Sequence, residues 1–425
     1  MEIMIRNLSE TFPGFVLVAV FLLSIPLAIY SQGCADTGKT DLGAKQEIQG
    51  KVVAYIPFKI SSGLILVNVA INNSKELHMF LDTGMSAPIV ALFHKEAIAE
   101  IGLPNTRQVL LGGAGGSGQK PGYLAQGVTV KLGNLEMPNQ TLVIMDDSRD
   151  ASPWQVDGII GRTLFDSYVT RIDYEASTIT LYDPASVQIN NSISPAIPIS
   201  LDISGIPTIE ARVAISGHEE RTLKLVLDLG HRNALFLNVN KAKGIIPPHH
   251  TIAGIAGRGI QGVVPSRIGR IQEIQLGSFT LRDVPTSFLE EGVNMGLSRE
   301  IVDGDLGQLV FRKFNLILDY KNRRMLLTPN KYFDNPNEFD MAGFGFLEQD
   351  RDGRISIHNV IENSPASENG IRQGDKIVKI NGRDVREFDY YQVYDVLRQN
   401  GKRISLTIER GKERMEKTLT LRRLL

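Results

Sequence analysis

From about Lys51 onward the chain is written in apolar runs of strand length, cut by turns rich in glycine, asparagine and aspartate. Ile56-Pro57-Phe58 and Leu64 to Ile71 predict strands, and Asn72-Asn73 is a hairpin signal before the run Leu77 to Leu81. That run delivers Asp82-Thr83-Gly84 into a turn. Phe93 to Ile101 has helical spacing and stops at Gly102, which predicts one short helix. There follow a glycine run from Gly112 to Gly118, two strands around Leu132-Gly133-Asn134, the segment Asp157-Gly158-Ile159-Ile160-Gly161, and strands at Val169 to Tyr174 and Thr178 to Leu181.

The same order is then replayed. Leu223 to Leu227 leads into Asp228-Leu229-Gly230, followed by the glycines of Gly254 to Gly259, a turn at Leu276-Gly277-Ser278, Asp303-Gly304-Asp305-Leu306-Gly307, and strands at Leu316 to Tyr320 and Met325 to Leu327. Asp228 stands 146 residues after Asp82, and the same offset separates Asp303 from Asp157 and Asp319 from Asp173. A fixed offset over a whole unit marks an internal duplication, here of a β-rich lobe spanning 51–187 and again 193–333. After the polar link Asp334 to Asp340 the pattern changes, and residues 341–425 predict a separate small domain of strands and two short helices. Its landmarks are Gly343-Phe344-Gly345-Phe346, a hairpin at Asp350-Arg351-Asp352-Gly353, Ser364-Pro365-Ala366, Gly374-Asp375-Lys376-Ile377, Ile380-Asn381-Gly382 and a helix over Phe388 to Arg398.

The N-terminus is different in kind. Phe15 to Tyr30 is an apolar run interrupted only by Ser24 and Pro26, which predicts a signal peptide or short membrane anchor over 1–34. Residues 35–50 read as a polar tether. Cys34, the single cysteine of the 425 residues, follows the apolar run as an acylated cysteine would, whereas Ser31 and Gly33 equally suit ordinary cleavage. The expected address is the cell envelope, periplasmic or membrane-anchored at the N-terminus. One cysteine excludes an internal disulfide and a multi-cysteine metal site. With 46 basic and 47 acidic residues the net charge of −1 offers no electrostatic case for nucleic acid.

Two strand-borne carboxylates from repeated lobes form a facing pair if a pseudo-two-fold axis relates the lobes. Such a pair shares a proton, so one member serves as base toward a water and the other as acid toward a carbonyl. On Phe80-Leu81-Asp82-Thr83-Gly84 and its replay, the chain after Lys51 resembles the bacterial two-lobed, retropepsin-like aspartic peptidases that carry a C-terminal PDZ domain. The resemblance implies a mainly β fold of two aspartic-protease-like lobes plus a PDZ domain. It also implies catalytic Asp82 and Asp228, a supporting role for Thr83, Gly84 and Gly230, and Ile159-Ile160-Gly161 as the strand bracing the catalytic loop. With both lobes in one chain, a monomer is expected to suffice, acting on a peptide or protein.

Two departures fall in the second lobe. Leu229 stands where the family has a hydroxyl for a cross-lobe hydrogen bond, and Asp305 replaces the leading apolar residue of the bracing strand, which is expected to weaken it. The alternative reading is therefore an exported peptide-binding protein with an inactive cleft. The stretch containing Gly112, Gly113, Gly115 and Gly116 fits G-x-G-x-x-G, but the alternating Tyr123 to Leu132 follows where a dinucleotide loop needs a helix, so it reads as a flap over the cleft. His249-His250 lacks partners at ligand spacing, and Asp350 to Gly353 lacks the acidic twelfth position of a calcium loop, so neither a metal nor a cofactor is expected. His231 either lines the cleft or is an exposed histidine. Gly343, Phe344, Gly345 and Phe346 resemble the PDZ loop whose amides hold a peptide C-terminus.

Overall fold

The computed structural model describes residues 48–85, 90–103, 105–115, 118–147, 156–190, 195–202, 205–290, 293, 302–349, 354–388 and 390–425, together with 15–17. The expected leader, the Cys34 site and the tether up to residue 47 lie outside the described residues, apart from Phe15–Leu17, a short strand beside Arg107–Gly112. Among the described residues no helix is long and apolar enough to cross a membrane.

The fold is mainly β: two barrel-like lobes and a PDZ domain. In the first lobe Gly158–Ile160 lies between Leu77–Leu81, to which it is parallel, and Val90–Leu92, to which it is antiparallel. The sheet closes on itself because the long strand Lys120–Leu132 pairs with Arg107–Gly112, Leu135–Met145 and Leu64–Ile71. The second lobe repeats each pairing. Gly304–Leu306 sits between Arg221–Leu227 and Leu235–Asn238, and Gly262–Leu276 pairs with Ile252–Gly259, Phe279–Leu289 and Pro207–Ile215.

Side chains repeat along with the strands. Asp157 accepts from the His78 amide at 2.8 Å and Asp303 from the Lys224 amide at 2.9 Å, so the two aspartates at the common offset cap the strand that carries each Asp-x-Gly turn. The expected helix begins at Glu96 rather than Phe93, because the Phe93 amide bonds Asp157 across the sheet; Gly102 ends it in the left-handed conformation.

The lobes are joined through one six-stranded sheet, in which Val169–Asp173 of the first pairs antiparallel with Phe314–Asp319 of the second. Above the cleft, two hairpins meet rather than one flap closing alone. The Gln261 amide donates to Ala114 O at 2.9 Å, and Gly116 of the first tip lies outside the described residues.

The PDZ domain packs on both lobes. Tyr391 Oη donates to Gly63 O at 3.1 Å, and the Arg312 guanidinium lies 3.6 Å over the Tyr391 ring. Arg270 and Arg423 both bind Glu338 and Asp283, tying the link and the chain end to the second lobe.

Candidate active site

Each Asp-x-Gly turn is built in the same way. The carboxylate bends back onto the amide of the glycine two residues on: Asp82 Oδ1 accepts from Gly84 and Asp228 Oδ1 from Gly230, both at 2.7 Å. The bracing strand holds the backbone, with the Asp82 and Asp228 amides donating to Ile160 O and Leu306 O, both at 3.0 Å.

Across the pseudo-two-fold axis the turns touch. A Cβ on Gly230 would fall 2.5 Å from Asp82 Cγ, and one on Gly84 would fall 2.8 Å from Asp228 Cγ. Only glycine permits that approach. Asp82 is 1% exposed and Asp228 4% exposed, so both carboxyls are shut away from solvent where the turns meet. Burial raises the pKa of Asp82 well above the ordinary carboxylate range, and the Asp228 charge adds to the rise. Burial also raises Asp228, followed by the charge of a third carboxyl, Asp305. Two carboxyls so placed influence each other's titration.

Thr83 ties the lobes together. Its hydroxyl donates to Leu227 O at 2.6 Å and accepts from the Leu229 amide at 2.9 Å. Leu229 does lack a reciprocal hydroxyl, and its side chain is instead fully buried in the main core. A second cross-lobe link reaches the same turn: Tyr174 Oη donates to Gln308 Oε1 at 2.7 Å, while Gln308 Nε2 donates to Leu229 O at 2.9 Å. Sequence reasoning passed over Gln308; its one signal was its position directly after Asp305-Leu306-Gly307.

Asp305 does not weaken its strand, correcting the sequence-based expectation. Gly304–Leu306 keeps both neighbours, and burial raises the Asp305 carboxyl well above the ordinary carboxylate range. His231 is fully buried, not an exposed histidine, and its Nδ1 lies 3.1 Å from Asp305 Oδ1. Burial lowers its pKa to about 4, against the raising effect of Asp228. Above that pH the ring is neutral, and its Nδ1 shares a hydrogen bond with the Asp305 carboxyl. Among the described residues no group of histidine, cysteine or acidic side chains is arranged to hold a metal.

In the PDZ domain, Phe344–Gln349 is the edge strand of its sheet. Phe344, Gly345 and Phe346 line a cavity of about 130 Å³ with Tyr394 on the PDZ side and Ala234 and Ala256 on the lobe side. The amides leading into that strand and its first amide already have an acceptor. The buried Asp340 carboxylate takes those of Ala342 at 3.0 Å, Gly343 at 2.6 Å and Phe344 at 3.0 Å.

Comparison with known proteins agrees with this architecture. Residues 67–164 match the aspartyl protease family and residues 340–409 match the PDZ domain. This is an aspartic-protease-like chain with a PDZ domain. Among curated proteins, the Carboxy-terminal processing protease CtpA of Bacillus subtilis is 31% identical over 82 residues, 19% of this chain and 18% of that protein. A probable CtpA-like serine protease of Staphylococcus haemolyticus is 26% identical over 146 residues, 34% of this chain and 28% of that protein. The aligned stretches thus span less than a third of either relative. The aspartic proteinase from Irpex lacteus aligns with 67% of this chain and 99% of its own, at a TM-score of 0.42 and 14% identity.

The Thr83 hydroxyl carries a testable load. Thr83→Ala removes a donor and an acceptor from a buried cross-lobe site and should cost about 1–3 kcal/mol of stability in a denaturant melt. Thr83→Ser, which keeps the hydroxyl, should recover most of the loss.

Proposed function

We propose that the protein is an aspartic endopeptidase of the cell envelope, in which Asp82 and Asp228 activate a water against a peptide carbonyl. The observation that carries this reading is the pair of buried carboxyls, each held by its own turn amide and each set against the other lobe's glycine. One carboxylate takes a proton from water while the other carboxyl donates to the carbonyl oxygen, which is general acid–base chemistry without a covalent intermediate. The aspartyl protease match over 67–164 supports a hydrolase, and the buried pair favours the aspartic type over the serine chemistry named for one relative. Because the two lobes of one chain complete the pair, the working unit is a monomer.

Asp82→Asn and Asp228→Asn should each abolish cleavage of a peptide library while leaving the thermal melt near wild type. The wild-type rate should persist above the ordinary carboxylate pKa of about 4, since burial raises both carboxyls and activity needs one of them protonated. Cleavage undiminished in either variant would refute the mechanism. Peptide binding without cleavage by the wild type would favour the binding-module alternative.

The address follows from the apolar run of 15–30 and Cys34. Metabolic labelling with palmitate should give a Cys34-dependent lipid band in the membrane fraction. Its absence from an exported chain would leave cleavage or an uncleaved anchor.

The PDZ edge strand is the natural receptor for an extended peptide with an apolar C-terminus, added as a further strand. Asp340 orders the loop that begins this strand, so Asp340→Ala should weaken peptide binding about tenfold, the loss of one buried hydrogen-bond acceptor. A fluorescence titration with free-acid and amidated forms of one peptide measures that loss and tests carboxylate capture.

A further inference from the structure

The PDZ edge strand does not face open solvent where it begins. Across the cavity of about 130 Å³ from Phe344, Gly345 and Phe346 stands the second lobe. Its wall is made by the hairpin above the cleft, through strands Ile252–Gly259 and Gly262–Leu276, and by the segment Arg232 to Ala234 that follows the Asp228 turn. The hairpin is cut back at this place. Gly254, Ala256 and Gly257 line the space, whereas the first lobe carries Gln108, Leu110 and Leu111 at the 146-residue offset of the repeat. A leucine in place of Ala256 would take up part of the cavity. Val263, on the paired strand, lines the same space and is 39% exposed, an apolar side chain with cover still to gain.

The space suits the last residue of a chain. At about 30 Å³ of liquid volume each, roughly four waters would fill it, which is the bulk of one aliphatic side chain and too little for a strand passing through. The edge strand runs on to Gln349 outside the cavity, so the residues preceding such a chain end have an edge to pair with. Phe346, Tyr394 and Ile268 give the space apolar walls, and the rings of Phe346 and Tyr394 lie 5.3 Å apart. Two acids also line it, and both are matched: Glu338 binds Arg270 and Arg423, and Asp340 accepts three backbone amides. Arg232 supplies a cation on the wall, which is what a terminal carboxylate requires. The cavity is continuous with the contact between the PDZ domain and the second lobe, since Glu338 belongs to both.

We propose that this cavity is a composite site for the C-terminal residue of a peptide, with an aliphatic side chain and a free carboxylate, built half by the PDZ domain and half by the second protease lobe. The proposal rests on the PDZ reading above and adds the protease lobe to the receptor. A residue seated there covers Val263 and Ala256 of the hairpin above the cleft. The hairpin is in turn joined to the catalytic turn. Asn233 Nδ2 donates to Ala256 O at 3.1 Å, and Ala234 O accepts the Gly307 amide at 2.9 Å, at the end of the strand that braces Asp228. A ligand on the PDZ strand therefore steadies one of the two hairpins that roof the cleft.

The test titrates the full chain with a short fluorescent peptide ending in leucine, as free acid and as amide. Val263→Asp puts a charge on the apolar wall at a partly exposed position and should weaken binding of the free acid about tenfold. Arg232→Gln should weaken the free acid about tenfold and leave the amide unchanged. Both residues lie outside the PDZ domain, so a PDZ groove acting alone is indifferent to them. Hydrogen exchange of the two hairpin strands in wild type should slow when the free acid is bound, a readout that needs no variant. Unchanged exchange in the peptide-bound wild type, or binding by both variants equal to wild type, overturns the composite site and leaves the PDZ reading standing. A wild type that takes neither form of the peptide refutes the PDZ reading, and the composite site with it.

Discussion

The site depends on a steric constraint: each carboxyl occupies the space where the opposite glycine would otherwise carry a side chain. The lobes must therefore be registered to within a fraction of an ångström, and much of the structure is engaged in holding that register. The shared six-stranded sheet sets the axis from beneath. Thr83 then pins the two turns from within, by bonding the backbone on both sides of Asp228. Desolvation raises both carboxyls, so the contact that fixes the geometry also makes the proton shareable.

That register is held asymmetrically. A symmetric pair of turns would use two hydroxyls; here one is replaced by the buried Leu229 side chain, and the Tyr174–Gln308 link bonds the same turn from the other lobe. The equivalent tyrosine of the second lobe, Tyr320, is buried against Phe165 at 5.6 Å, and its hydroxyl has no such partner among the described residues. Polar bracing is thus concentrated around Asp228, and apolar packing around Asp82. The carboxyl that looked the less firmly placed is the one with the more hydrogen-bonded surroundings.

Much of this was legible in the chain. Strand-length apolar runs and a constant offset between three pairs of aspartates predict two like lobes, because a repeated fold must repeat its caps and turns at fixed spacing. Asp157 and Asp303 illustrate the point, since the offset found them and the structure shows both capping the same strand. What stayed hidden were contacts between residues far apart in sequence. His231 alone reads as a cleft-lining or exposed histidine and Asp305 as a defect in an apolar strand, and only the fold shows that they meet. Asp340 reads as the end of a polar link, yet its buried carboxylate organises the start of the PDZ strand. The glycine run predicted one flap, whereas the lobe symmetry supplies two hairpin tips that meet.

Those tips also exchange places. Ile260, at the end of the second lobe's hairpin, packs into the apolar cluster of the first lobe, and Ala114, its counterpart at the repeat offset, packs into a cluster of the second. Withdrawing a buried isoleucine exposes far more apolar surface than withdrawing an alanine, at about 25 cal/mol per Å². The roof is consequently a latch of unequal halves, easier to lift at its alanine end. On the peptidase reading, an incoming chain would lift the alanine tip first, and a nearly two-fold site would thereby gain a handed approach.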